Sequence, residues 1–413
     1  MNEYLKGLKD KIRRDCLTRL TDADLLDAQQ GALRRKLPPL ISNSFKSLKG
    51  ESLSHNDRQW LIAEVAADII GLGPIAKFID DQNVNEIMIN GHKQVYIERN
   101  GKIELTNITF RDERHVEFVA ERVLSSIGRR VTELEPYIDA RLPDGSRVNV
   151  VSNPVSLNGI IVTIRRFSSN ILTFEDLVKL QTISNEAAGF LMACVKARMN
   201  IVICGGSGAG KTTMLNVLSN SIPKDERVVT IEEIAELRLR GDHILRLETR
   251  SPNVQGTGEI TARQLVKNAL HMRPDRIIIG EVRGSEVLDM LRAMTTGHEG
   301  SMTTLHSNSA SEAVDLLELM TVMDSPNISA IVARRQIINA VDLLVHMVRL
   351  PDGKRKVSQI LEVDKENKPD FKLRDIFSAT DDEISDFKYR GNVPAVYAKL
   401  KKRFGYKCGL FEK

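Results

Sequence analysis

Residues 201–213 read Ile-Val-Ile-Cys-Gly-Gly-Ser-Gly-Ala-Gly-Lys-Thr-Thr. Four apolar residues run into an octet, Gly205 to Thr212, that fits the phosphate-binding pattern G-x-x-x-x-G-K-[ST]. The apolar run predicts a strand, the octet a loop and the residues after it a helix, which is the setting the pattern needs to bind phosphate. Small residues at Gly205, Gly206, Ser207, Gly208, Ala209 and Gly210 let backbone N–H groups close around an anion. Lys211 is expected to reach the β- and γ-phosphates of ATP, and Thr212, followed by Thr213, to place its hydroxyl on Mg²⁺. The positive end of the helix adds to the same field.

Outward from this loop, strands are expected at 227–231 and 276–279 with helical segments between them, an alternation that predicts a mainly parallel α/β sheet covered on both faces. Arg276-Ile277-Ile278-Ile279-Gly280-Glu281 is an apolar strand ending in a carboxylate. At the ligand edge of such a sheet Glu281 would hold Mg²⁺, through water, or polarise the attacking water. Thr230-Ile231-Glu232-Glu233 places two acids at another strand end. Adjacent acids there are commonly solvated loop residues; if one is the general base, it must orient water in line with the γ-phosphate. The segment Thr296 to His306 carries two histidines among glycines and threonines and is expected to be a loop that senses the γ-phosphate, with His306 the functional residue.

The region before the loop has a different texture. Leu5, Leu8, Ile12, Cys16 and Leu20 mark an amphipathic helix over 1–37, which Pro38 and Pro39 are expected to stop. It serves either as an arm gripping a neighbour or as a helix folded on its own domain. A second helix, with Trp60, Leu61, Val65 and Ile69 on one face, runs to the breaker Gly71-Leu72-Gly73-Pro74. Strands follow at 86–89, 95–98 and 103–105, separated by Asn90-Gly91 and Asn100-Gly101, then a helix at 113–127 and strands at 148–151 and 160–164. Arginines crowd this region: Arg129, Arg130, Arg141, Arg147, Arg165 and Arg166. They form either a solvated face or a source of the planar donors that neutralise charge on a γ-phosphate. The organisation expected is an N-terminal helical segment (1–53), a small α+β domain (54–166), a linker (167–184) and an ATPase domain with its tail (185–413).

Composition narrows the function classes. The 413 residues carry 59 basic and 55 acidic side chains and 5% aromatics, too balanced and too poor in stacking groups for stable nucleic-acid binding. No apolar run is long enough for a membrane span, and the charged N-terminus lacks a signal-peptide pattern, so a cytoplasmic protein is expected. Cys16, Cys194, Cys204 and Cys408 form no CxxC pair, and ordinary thiols are expected.

Four ordered segments, GGSGAGKTT (205–213), TIEEIAEL (230–237), RPDRIIIGEVRG (273–284) and TTGHEGSMTTLH (295–306), resemble the Walker A, Asp box, Walker B and His box of the type II/type IV secretion ATPase family. The segments 71–103 and 127–151 resemble the Tad/Flp pilus ATPases, the CpaF/TadA branch, and the likeness extends over roughly residues 60–350. The resemblance implies a homo-hexamer of subunits with a PAS-like first domain and a RecA-like P-loop motor domain. It would work with ATP and Mg²⁺ at the cytoplasmic face of the inner membrane, associated with it through platform proteins. On that likeness Glu232 matches the catalytic glutamate, Glu281 the Walker B acid and His306 the His-box residue, while Arg141 and Arg147 match arginines that reach the nucleotide. The implied function is a motor for assembly, and retraction as a further role, of a Tad/Flp type IV pilus, with protein secretion or DNA transfer as the alternative. Glu232-Glu233 departs from the family's Glu-Asp, which leaves open which acid positions the water.

Overall fold

The computed structural model describes residues 3–20, 32–47, 53–70, 72–81, 83–99, 101–166, 172–250, 252, 257–325, 327–365, 372–380 and 383–412. Residues 21–31 of the first helical pattern, Gly71 of the breaker, Asn100 of the second turn and 167–171 of the connector lie outside them. The chain forms two compact units, Met1–Ser168 and Ser169–Lys413.

The first unit opens with helices α1 (Glu3–Arg19), α2 (Ala32–Ser47) and α3 (His55–Ile70). Leu8, Ile12 and Cys16 of α1, Leu33, Leu37 and Ile41 of α2, and Leu61, Val65 and Ile69 of α3 share one apolar core. Thus α1 packs on its own unit, and Lys9 adds ion pairs to Glu64 at 2.8 Å and Asp68 at 3.2 Å of α3. The prolines do not stop a helix: Pro38 and Pro39 lie inside α2. Each proline leaves an i−4 carbonyl, those of Arg34 and Arg35, without its helical donor. The helix nevertheless continues, because both prolines are exposed while the face carrying Leu33, Leu37 and Ile41 is buried.

After a 3₁₀ turn (Gly73–Ile75) and α4 (Ala76–Asp80) come β1 (Val84–Asn90), β2 (Gln94–Arg99), β3 (Lys102–Leu105), α5 (Glu113–Ser125), β4 (Tyr137–Arg141), β5 (Arg147–Val151) and β6 (Ile161–Arg165). Among the described residues they make a six-stranded sheet, ordered β3-β2-β1-β6-β5-β4 and antiparallel at every pair. Asp112 caps α5 by accepting from the His115 amide, and Val116, Val119, Val123 and Leu124 press the helix onto the sheet's apolar face. The structure adds β4, which the turn signal Pro143-Asp144-Gly145 marks only at its exit.

The second unit continues with α6 (Phe174–Lys179), α7 (Asn185–Lys196), β7 (Ile201–Gly205), α8 (Lys211–Ser219), β8 (Val228–Glu232), β9 (Ile244–Glu248), α9 (Ala262–Ala269), β10 (Arg276–Val282), α10 (Glu286–Thr295), β11 (Met302–His306), α11 (Ala310–Asp324), α12 (Ala330–Ala340), β12 (Leu343–Arg349), β13 (Arg355–Val363), β14 (Leu373–Thr380), β15 (Glu383–Tyr389) and α13 (Val396–Phe404). The sheet order is β15-β14-β13-β12-β7-β11-β10-β8-β9. Strands β12 to β9 in that order run parallel, and β13 to β15 extend the sheet antiparallel. Side-chain alternation divides the apolar residues between two cores. Ile201 and Ile203 enter one with α7 and α8, while Val202 and Cys204 enter the other with α10 to α12.

One expectation changes in this unit. Residues 302–306 are not loop but the interior strand β11, next to β7 and buried up to His306, and only 296–301 connect it to α10. The C-terminal residues join the core of this unit: Phe377 and Phe411 pack on Phe190 of α7, and Phe387, Tyr389 and Tyr397 pack in turn on those two rings. Ile41 tests the continuous α2. Lying beyond the prolines yet fully buried, it is expected to cost about 2–5 kcal/mol of unfolding free energy when changed to Ala, read by denaturant titration. A helix ending at Pro38 would leave Ile41→Ala near neutral.

Candidate active site

The end of β7 is shaped by a close approach. Met347 of β12 lies opposite Gly205, and a Cβ on Gly205 would run into the Met347 carbonyl oxygen. Gly210, at φ +95°, occupies the left-handed region as the N-cap of α8. Between them the loop closes on itself: the Ala209 amide donates to the Gly206 carbonyl at 3.4 Å, and Lys211 Nζ donates to the same oxygen at 3.0 Å. Burial holds the Lys211 pKa below the usual 10.5, opposed by the negative charge of Glu281. Thr212 and Thr213 follow in the first turn of α8.

Strands β8, β10 and β11 run in parallel register with β7 and bring their ends to the same edge of the sheet. Lys211 follows the end of β7, Glu232 ends β8, Glu281 lies at the end of β10 and His306, exposed, ends β11 directly opposite Gly205. The Ser307 amide donates to the Gly205 carbonyl at 3.3 Å, tying the His306 strand to the loop. Carboxyl ends of parallel strands are where ligands of open α/β sheets bind.

The two adjacent acids have opposite environments. Glu232 is 4% exposed. Its Oε1 accepts from the amides of Glu236 and Leu237, both at 2.8 Å, while its buried Oε2 has no partner among the described residues. Burial pushes its pKa from the ordinary 4.5 up to about 7, with the two amides opposing the rise. Glu233 is exposed and accepts from Arg283 Nη1 at 2.8 Å. The same guanidinium donates to Glu281 Oε2 through Nη2 at 2.6 Å and Nε at 3.0 Å. Arg283 therefore bridges Glu233 and Glu281, a role that its position two residues after a strand-end acid did not reveal in the sequence.

The oxygen donors available to a hard cation are the Thr212 hydroxyl and the Glu281 carboxylate, the donor type that suits Mg²⁺. No group of three or more metal-ligating side chains occurs among the described residues. A cation at this edge would be held largely by phosphate and water, as Mg²⁺ is in nucleotide sites. In the first unit, Arg141 and Arg147 face each other across β4 and β5, and Arg147 Nη2 reaches Asp139 at 3.4 Å. The structure thus groups the two arginines on one hairpin, and Lys211, Glu232, Glu281 and His306 on one sheet edge.

A nucleotide loop between a buried parallel strand and a helix, with acids on neighbouring strand ends, defines a P-loop ATP hydrolase of RecA-like fold. Residues 68–391 match the model of the family described as Type II/IV secretion system protein, and the chain belongs to that family. A putative conjugal transfer protein of Mycobacterium tuberculosis is 33% identical over 71% of this chain and 84% of its own length. The type IV secretion system protein VirB11 of Bartonella henselae is 30% identical over 76% of this chain and 96% of its own. Among solved structures, the Legionella pneumophila ATPase DotB shares the fold with a TM-score of 0.52 at 20% identity, covering 73% of this chain and 82% of that one. The pilus retraction motor PilT with bound ADP does so with a TM-score of 0.52 at 18% identity, covering 79% and 88%. No described helix is long and apolar enough to cross a membrane.

The environment of Glu232 makes stability depend on pH. A folded-state pKa near 7, above the ordinary 4.5, means that folding favours the protonated acid, so stability is lost as pH rises through that window. Glu232→Gln keeps an acceptor for both amides and removes the titration. It is expected to melt above wild type at pH 8, with the gap closing by pH 5; a variant that melts lower than wild type at pH 8 would argue against burial as the cause.

Proposed function

We propose that this protein is a MgATP-driven motor that works as a homo-hexamer on inner-membrane platform proteins of a pilus or secretion machine. The observation that carries this reading is the convergence of Lys211, Glu232, Glu281 and His306 on one edge of a parallel sheet. In the proposed reaction the amides of 205–210 and Lys211 hold the β- and γ-phosphates. Thr212 and, through water, Glu281 would hold Mg²⁺, which would neutralise phosphate charge. Glu232 in its ionised form orients a water and takes its proton as the water oxygen bonds to the γ-phosphorus and the bond to the bridging oxygen of ADP breaks. A base with a pKa near 7 suits this, being ionised at the working pH yet basic enough to accept a proton. His306 contacts the γ-phosphate side, and Arg141 and Arg147 supply the planar donors that neutralise the developing charge. Binding energy that differs between open and closed states converts the cycle into motion.

The finer assignment is assembly, with or without retraction, of a Tad/Flp pilus, supported by the segments 71–103 and 127–151. Relatives named for conjugal transfer and type IV secretion support DNA or protein transfer as the second reading.

Lys211→Ala is expected to abolish nucleotide turnover and weaken ATP binding. Glu232→Gln is expected to retain ATP binding while turnover falls by about 10²-fold or more, measured as phosphate release. Equal loss in Glu233→Gln and none in Glu232→Gln would reassign the base. In source cells carrying Lys211→Ala, electron microscopy should show loss of surface pili if the pilus reading holds. Persistent pili together with lost DNA or protein export would move the assignment to transfer.

A further inference from the structure

The hairpin formed by β12 and β13 ends beside the nucleotide loop. Its last pair, Arg349 and Arg355, stand directly opposite each other across the turn 350–354. Like charges at such positions weaken a hairpin, yet both side chains lie against the loop. Arg355 Nε donates to the Gly208 carbonyl at 3.0 Å. A Cβ on Gly210 would stand 3.1 Å from Arg355 Cδ, and one on Gly208 3.1 Å from Arg349 Nη1.

The peptide joining Gly208 to Ala209 is one rigid plane whose carbonyl and N–H point in opposite directions. Arg355 holds its carbonyl, and its N–H reaches across the loop to the Gly206 carbonyl, the oxygen that also takes the Lys211 ammonium. The bond from the hairpin therefore aims the Ala209 amide towards the side of the loop where the lysine charge sits. We propose that Arg355 is a positioning residue for the nucleotide: through Nε–H it fixes the Gly208–Ala209 peptide so that the Ala209 amide and Lys211 address the same phosphate. The inference rests on the reading of 205–212 as the phosphate site and adds a residue from a distant hairpin to it. The loop does not orient its amides alone, because the β12–β13 pair beside β7 in the sheet supplies the brace.

The donor and the charge of Arg355 can be separated. The amide nitrogen of glutamine stands the same number of bonds from the backbone as arginine Nε, so Arg355→Gln keeps a donor there without charge. Arg355→Lys keeps charge without that donor, and Arg355→Met keeps neither. With the full chain, MgADP affinity by calorimetry and the KM and kcat for ATP are measured, with melting temperatures to verify folding. Arg355→Met and Arg355→Lys are expected to bind MgADP about tenfold more weakly, with the loss falling on KM more than on kcat, and Arg355→Gln to return to within about threefold of wild type. Gln as weak as Met, Lys equal to wild type, or Met equal to wild type would each overturn the proposal. Lys211→Ala separates the two levels: if it binds MgADP as wild type does, the phosphate-site reading itself falls, whereas its loss beside an unmoved Arg355 series removes only the brace.

Discussion

The structure of the second unit depends on how one buried asparagine begins the central strand. Asn200 precedes β7 and satisfies every polar atom of its side chain. Its Nδ2 donates to the carbonyls of Met294 at 3.0 Å and Ala340 at 2.7 Å, and its Oδ1 accepts from the amides of Gly300 at 2.8 Å and Ser301 at 3.1 Å. Its own amide donates to Asp342 at 2.8 Å, and its carbonyl accepts from Leu343 at 3.2 Å. One side chain thereby ties the starts of β11 and β12 to the start of β7. Strands are stiff, so register set at one end is delivered at the other: Ile201 faces Met302 and Leu343, and four residues later Gly205 faces His306 and Met347. The alignment of His306 and of the β12–β13 hairpin with the nucleotide loop follows from hydrogen bonds made at the opposite edge of the sheet.

A charged pair guards the same edge. Arg276, fully buried at the start of β10, donates to both oxygens of Glu226, at 2.6 and 3.0 Å, and to the Val195 carbonyl at 2.7 Å. Burying such a pair adds little net stability, but removing one partner leaves an uncompensated charge at a cost of about 3–5 kcal/mol. Its geometry leaves room for nothing else, since a Cβ on Gly300 would come 2.6 Å from Arg276 Nη1. The connector into β11 is thus held by Asn200 on one side and Arg276 on the other. This explains why a segment rich in glycine and threonine forms a strand after all.

That strand shows where the sequence stops being legible. The apolar runs of β7, β8 and β10 announce parallel strands because both faces are buried, and the loop after β7 carries a pattern with a physical reason for each residue. Met302 to His306 offers no such run, because Thr303 and Thr304 are buried with their hydroxyls bonded internally, Thr304 to the Gly280 carbonyl at 2.7 Å. Polar residues satisfied by tertiary bonds look like loop until the partners are known. The prolines of α2 mislead for the reverse reason, since a strong local signal is overridden by an apolar face that packs on two other helices. Arg355 was invisible for want of any local signal, its bond to Gly208 spanning 147 residues.

The adjacent acids at the end of β8 show how packing gives two like residues opposite environments. Glu232 and Glu233 are chemically the same, and their order alone does not say which meets water. Glu232 is the last residue of β8, a strand buried along its whole length, while Glu233 lies past the strand's end and is exposed, and the neighbouring strand β10 places Gly280 against the Glu232 side chain. A Cβ at Gly280 would lie 3.0 Å from Glu232 Cγ, so a larger residue there would require the Glu232 side chain to shift by a few tenths of an ångström. The glycine that reads in sequence as a spacer before Glu281 leaves space beside the buried Glu232 side chain, whose carboxyl is hydrogen-bonded to two amides and held near neutrality by burial. Glu233, left outside, joins Arg283 and Glu281 in an exposed ion-pair set whose charges are screened by solvent. A buried carboxyl with one oxygen fixed and the other without a partner among the described residues suits the role proposed for Glu232.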